Sequence, residues 1–165
     1  MSVQTTLCYI DNGDAYLMLH RVKKEHDVNK GKWIGIGGKF EPDESPVECM
    51  MREVSEETGL VPRTWCCRGI VTFVSARWVT EYMHLFTITE WTGEVRSCNE
   101  GILEWVPKDE LLALPHWKGD EIFLSLISAP ETPFFSLKLV YDKDDTLVDA
   151  QLDGSPVDLK DWNWT

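Results

Sequence analysis

Short apolar and β-branched runs broken by polar turns mark most of this chain as strand. Val3 to Ile10 reads as one strand and Ala15 to Arg21 as its return, across Asp11-Asn12-Gly13-Asp14, where Asn-Gly is a strong hairpin signal. Val22 to Lys32 is polar and basic and reads as a loop. The following WIGIGGKF places three glycines within four residues, a composition expected where backbone approaches another group closely. Thr64 to Ala76, Val79 to Trp91 and Ile102 to Val106 form further strands, the last ended by Pro107. Phe134 to Tyr141 and Thr146 to Leu152 predict a terminal hairpin across residues 142–145.

The period changes over Ser45 to Thr58, where Val47, Met50, Met51 and Val54 fall at i, i+3, i+4 and i+7. Ser45 is the expected N-cap, Pro46 suits the first helical position, Glu48 completes a capping box, and Gly59 is the expected stop. Asp109 to Leu114 predicts a short helix, and Gly119 to Ser128 a second amphipathic one that stops before Pro130. Mostly antiparallel strands with two main helices predict an α+β fold in α/β/α layers.

Composition narrows the functional classes. A chain of 165 residues suits one domain, 1–165, with its core over about 3–152 and a tail, 153–165, carrying Trp162 and Trp164 that the pattern leaves unassigned. With 43% hydrophobic and 27% charged residues, a disordered chain is excluded. A formal charge of −12 opposes binding to a nucleic acid polymer, though not to a small nucleotide carried in with a cation. The five cysteines are odd in number and lack a CxxC pair, so reduced thiols are expected rather than a disulfide framework or a zinc site. No apolar run approaches a membrane span and the N-terminus lacks the marks of a secretory signal. A cytoplasmic protein with no membrane contact and no obligate protein partner is expected.

The chemistry is concentrated on the first helix. Glu53, Glu56 and Glu57 lie at i, i+3 and i+4, within about 100° of one face. Three carboxylates so close repel one another, and a multivalent cation compensates them most directly. All-oxygen ligands suit Mg²⁺, with Mn²⁺ as a substitute, and Mg²⁺ takes its remaining ligands from water and phosphates. The wider spacing is glycine, five residues, glutamate, seven residues, then Arg-Glu-hydrophobic-x-Glu-Glu-x-Gly-hydrophobic, from Gly38 to Leu60.

This segment, GKFEPDESPVECMMREVSEETGL, is similar to the box of the Nudix hydrolase family, with no departure. The resemblance implies a mixed-sheet α/β/α sandwich with the box as loop-helix-loop. It implies cleavage of a nucleoside diphosphate linked to another moiety, with divalent metal. It makes Glu53, Glu56 and Glu57 metal ligands with the Gly37 carbonyl, and gives Glu44 and Arg52 the task of joining loop to helix. Glu53 is then a candidate general base, and Glu100, in CNEG, a candidate loop glutamate that supplies a ligand or the base. Gly38 and Gly59 belong to the motif itself. Lys39 and Arg21 are candidate phosphate clamps.

Beyond the box, CYIDNG, KWIGIGGK, CNEG with LEWVP, and PFFSLKLVYD resemble the MutT-like 8-oxo-dGTP diphosphatases, of the MutX type. That likeness implies hydrolysis of 8-oxo-dGTP to 8-oxo-dGMP and pyrophosphate. Trp117 and Asp120 match base-reading positions of the human oxidised-purine triphosphatase. Gly119 and Ile34 depart from it, standing where that enzyme has an aspartate and an asparagine. Another nucleotide, ADP-ribose included, and a non-catalytic nucleotide-binding domain are the alternatives.

Overall fold

The computed structural model describes every residue except Lys24, Asp161, Asn163, Trp164 and Thr165. The chain runs β1 (Ser2–Asp11), β2 (Ala15–His20), β3 (Trp33–Ile34), α1 (Pro46–Thr58), β4 (Val61–Ser75), β5 (Thr80–Thr92) and β6 (Ile102–Pro107). A 3₁₀ helix (Lys108–Ala113), α2 (Asp120–Ile127), β7 (Phe135–Tyr141), β8 (Leu147–Leu152) and β9 (Ser155–Pro156) complete it. Among the described residues the strands form one mixed sheet in the order β3-β2-β1-β5-β4-β7-β8-β9, with β6 also on β2. β1 and β5 are parallel, as are β4 and β7; the other pairs are antiparallel.

The strands alternate side chains between two cores, as the period-two geometry of a strand requires. From β1, Tyr9 faces one core while Cys8 and Ile10 face the other. From β2, Tyr16 and Met18 join Tyr9, while Leu17 and Leu19 join Cys8. The first core is closed by α2 through Ile122, Phe123 and Ile127, and the second by α1 through Met50 and Val54. Helices therefore cover both faces of the central strands, giving the expected α/β/α layers.

The hairpin of β1 and β2 positions the site. Its two strands pair only next to the turn, at Ile10 with Leu17 and Asp11 with Tyr16. β2 then leaves to pair with β3 and β6. The glycine segment takes its place along β1: Cys8 and Ile36 exchange backbone bonds of 2.6 and 2.9 Å, and Thr6 N–H donates to the Gly38 carbonyl at 2.9 Å.

The helix follows its sequence signals. Ser45 accepts from the Glu48 N–H and the Glu48 side chain accepts from the Ser45 N–H, a complete capping box. Gly59 ends it in the left-handed region at φ 84°, where a side chain would strain the backbone. The buried stripe is Cys49, Met50, Val54, Glu57 and Thr58. Val47, expected on that stripe, is 39% exposed in the first turn. The terminal hairpin forms as β7 and β8, and its tail carries Trp162 onto the first core; Trp164 lies outside the described residues. All five cysteines are free. No helix among the described residues is long and apolar enough to cross a membrane.

Candidate active site

Two glycines bring the helix carboxylates to the sheet. A Cβ on Gly37 would run into the Thr6 carbonyl oxygen, so only glycine lets this segment lie against β1. A Cβ on Gly38 would lie 2.6 Å from the Glu53 carboxyl carbon, so the missing side chain is the space that Glu53 fills. The Gly37 N–H donates to Glu57 Oε2 at 3.0 Å.

Arg52 organises the rest. Its Nε and Nη2 donate to the two oxygens of Glu44 at 2.7 and 2.9 Å, and Nη2 also donates to the Lys39 carbonyl at 3.0 Å. This paired geometry joins loop to helix. It also holds the Glu44 carboxyl down to about 2, helped by the Glu41 N–H. Arg52 Nη1 reaches forward along α1 to Glu53 Oε1 at 2.8 Å and Glu56 Oε2 at 3.2 Å. Two of the three expected metal ligands are thus held by the residue that joins loop to helix.

Glu57 is 8% exposed. Burial, the Glu53 carboxylate and, more weakly, Glu100 push its pKa up to about 8, against the Gly37 N–H and Arg21. Burial likewise raises Glu53, against Arg52. Among the described residues, no three or more His, Cys, Asp or Glu side chains are grouped so as to hold a metal ion. The reason is local: Glu53 and Glu56 are drawn to Arg52, and Glu57 to the Gly37 peptide. The donors still fit a hard divalent cation. They are carboxylate oxygens carrying more negative charge than one arginine offsets, and burial, with the Glu53 carboxylate beside it, disfavours ionisation of the most buried of them, Glu57.

Arg21 lines the same region, but its guanidinium is already engaged. Nε donates to Asp27 Oδ2 at 2.6 Å, and Nη2 lies 3.4 Å from Glu100 Oε2. It therefore ties the residue 22–32 loop to the loop before β6, bringing Glu100 within the electrostatic reach of Glu57.

A cavity of about 280 Å³ runs beside the glycine segment. Arg21, Gly37, Gly38 and Lys39 line it, and so do Ile34, Trp117 and Asp120. Trp117 is 5% exposed. Its Nε1–H donates to Asn29 Oδ1 at 2.8 Å, Lys32 Nζ sits 4.4 Å from its ring centroid, and Phe73 and Tyr141 meet it edge-on. Burial lifts the Asp120 carboxyl to about 7, against His116 and Lys32 and with Glu121 adding to the shift. Glycine at 119 has a steric cause here: a Cβ would lie 2.5 Å from Leu139 Cδ1 and 2.6 Å from the Tyr141 hydroxyl.

A profile of the NUDIX domain matches residues 1–127 of the chain. The chain belongs to the Nudix family. The Nudix hydrolase YvcI of Bacillus subtilis, named as uncharacterized, is 30% identical over 122 residues, 71% of this chain and 73% of its own. The oxidized purine nucleoside triphosphate hydrolase of Danio rerio is 29% identical over 106 residues, 63% of this chain and 67% of its own. Among solved structures, the mutator MutT protein of Bacillus halodurans is 30% identical, with a TM-score of 0.82 over 93% of this chain and 99% of that one. Nudix membership supports a hydrolase acting on pyrophosphate bonds of small nucleotides, in a family that generally uses a divalent metal such as Mg²⁺.

Asn29, Lys32, Phe73 and Tyr141 escaped the sequence reading. Asn29 and Lys32 lie in a polar loop, and Phe73 and Tyr141 in strand patterns that mark them as core. Nothing local distinguishes them from loop or core residues.

Proposed function

We propose that this Nudix protein, acting as one domain, is a Mg²⁺-dependent nucleoside triphosphate pyrophosphohydrolase that converts 8-oxo-dGTP to 8-oxo-dGMP and pyrophosphate. In the cytoplasm it would remove an oxidised precursor before a polymerase incorporates it. One observation carries the reading: a single cavity is lined at once by Gly37, by Gly38 and Lys39 of the box, and by Trp117 and Asp120. A nucleotide lying along it has its phosphates beside the α1 carboxylates and its base beside the indole.

In this reading Glu53, Glu56, Glu57 and Glu100 hold Mg²⁺ or Mn²⁺ together with the Gly37 carbonyl. The bound ion supplies charge neutralisation, polarisation of a phosphoryl oxygen and acidification of water. Lys39 and Arg21 add positive charge along the phosphates. Glu53 takes the proton of the attacking water on Oε2, because Oε1 is held by Arg52 and the carboxylate abuts Gly38 in the cavity wall. Trp117 gives the purine an apolar surface, worth about 1–3 kcal/mol per stacked base. Asp120 adds a hydrogen bond that discriminates between bases.

Parallel steady-state kinetics on 8-oxo-dGTP, dGTP, the other nucleoside triphosphates and ADP-ribose, with and without Mg²⁺, test this. The expected result is the highest kcat/KM for 8-oxo-dGTP, release of intact pyrophosphate, and dependence on the ion. The highest kcat/KM for ADP-ribose would overturn the substrate. Stepwise release of orthophosphate would overturn the reaction.

A further inference from the structure

The Gly119 N–H donates to the Tyr141 hydroxyl oxygen at 2.8 Å. A phenol has one hydrogen to give, and an oxygen that accepts from Gly119 must direct that hydrogen elsewhere. Tyr141 lines the cavity beside Trp117 and Asp120. The side chain has little freedom to turn away. It is 1% exposed, its ring meets Trp117 at 4.9 Å and 72°, and Phe73 lies 5.2 Å away at 36°. The hydroxyl also occupies the space a side chain at 119 would need, since a Cβ there would lie 2.6 Å from it. A second polar group at this end of the cavity, beside Asp120, thus comes from β7, and the glycine makes room for it.

We infer that Tyr141 is a specificity-determining residue whose hydroxyl donates a hydrogen bond to a carbonyl oxygen on the edge of an oxopurine base. The inference rests on the nucleotide reading proposed above and names the group that selects the base. A buried donor paired with a substrate carbonyl penalises analogues that lack the carbonyl, because the donor is then left unpaired.

The test compares 8-oxo-dGTP, dGTP and the 2-aminopurine deoxynucleoside triphosphate, which has no carbonyl on its base. Tyr141→Phe is expected to lower kcat/KM for at least one carbonyl-bearing purine by about tenfold or more, as loss of a buried hydrogen bond of roughly 1.4 kcal/mol gives. The 2-aminopurine substrate should change by less than about twofold. Gly119→Ala, which pushes the hydroxyl aside, should lose the same selectivity and add little when combined with Tyr141→Phe. A uniform loss on all three substrates, or none, overturns the inference while leaving the hydrolase intact. Inactivity of the wild type on every purine overturns the proposed function, and this inference with it. Equilibrium binding of the three monophosphates to the wild type needs no variant to fold: a 2-aminopurine product bound as tightly as 8-oxo-dGMP also overturns it.

Discussion

The α1 carboxylates lie behind the glycine segment of the cavity wall, with Glu53 against Gly38, whereas the aromatic pocket around Trp117 lines the cavity itself; the two are built differently. Glu53, Glu56 and Glu57 come from little more than one turn of one helix, and Arg52 of the same helix bridges two of them. The pocket around Trp117 draws Asn29 from a loop, Phe73 from β4, Asp120 from the start of α2 and Tyr141 from β7. A local cluster can lose a functional group while the fold stands, because helix spacing holds the others. A pocket assembled from four segments couples specificity to packing, because Phe73, Trp117, Asp120 and Tyr141 line the cavity while being buried among one another.

That contrast gives testable expectations. The largest concerns the ion: chelation should bring turnover to background, and added Mg²⁺ should restore it with no change in far-UV circular dichroism. Glu57→Gln should cost at least about 100-fold in kcat as a metal ligand is lost, with the helix content unaltered. Near wild-type turnover would break the assignment. Arg52→Ala should cost about 10–100-fold, as expected for a residue that orients ligands rather than binding the ion. It should also lower Tm by several degrees through loss of the Glu44 pairing.

At the aromatic end the effects fall on stability and its pH dependence. Asp120 has an ordinary carboxylate value of 3.8 in the unfolded chain and about 7 in the folded one. Between those values the folded state keeps a proton that the unfolded state has released. Its contribution therefore weakens folding as pH rises from about 4 through 7. Asp120→Asn should flatten that part of a Tm-against-pH curve, with the difference from wild type smallest near pH 4 and largest above 7. The smallest effect belongs to Asn29→Ala, which removes the acceptor for the Trp117 indole at a cost of about 1 kcal/mol in denaturant unfolding. If it left stability unaltered but abolished turnover, the division between the two ends would fail.

The strands and helices were legible to within a few residues, because hydrophobic period and capping chemistry act locally. β4 starts at Val61 rather than Thr64, since its N-terminal residues pair with the far end of β5, a partner no local pattern reveals. β3 and β9, two residues each, exist only because β2 and β8 offer them an edge. The carboxylate trio was readable for the same reason as the helix that carries it. The role of Arg52 in joining loop to helix came with the family resemblance, whereas its contacts to Glu53 and Glu56 did not. Arg21 illustrates the reverse: a candidate phosphate clamp by its sequence context, it is held by Asp27 and Glu100 once the loops fold.

By itself the sequence determined the helix, its caps and the acidic face, since each depends on contacts between residues a few positions apart. Only the tertiary structure decided which groups share the cavity. The Trp117–Asn29 bond spans 88 positions and the Gly119–Tyr141 bond 22. Contacts of that separation form only after strands from distant parts of the chain pair in register, so no local periodicity encodes them.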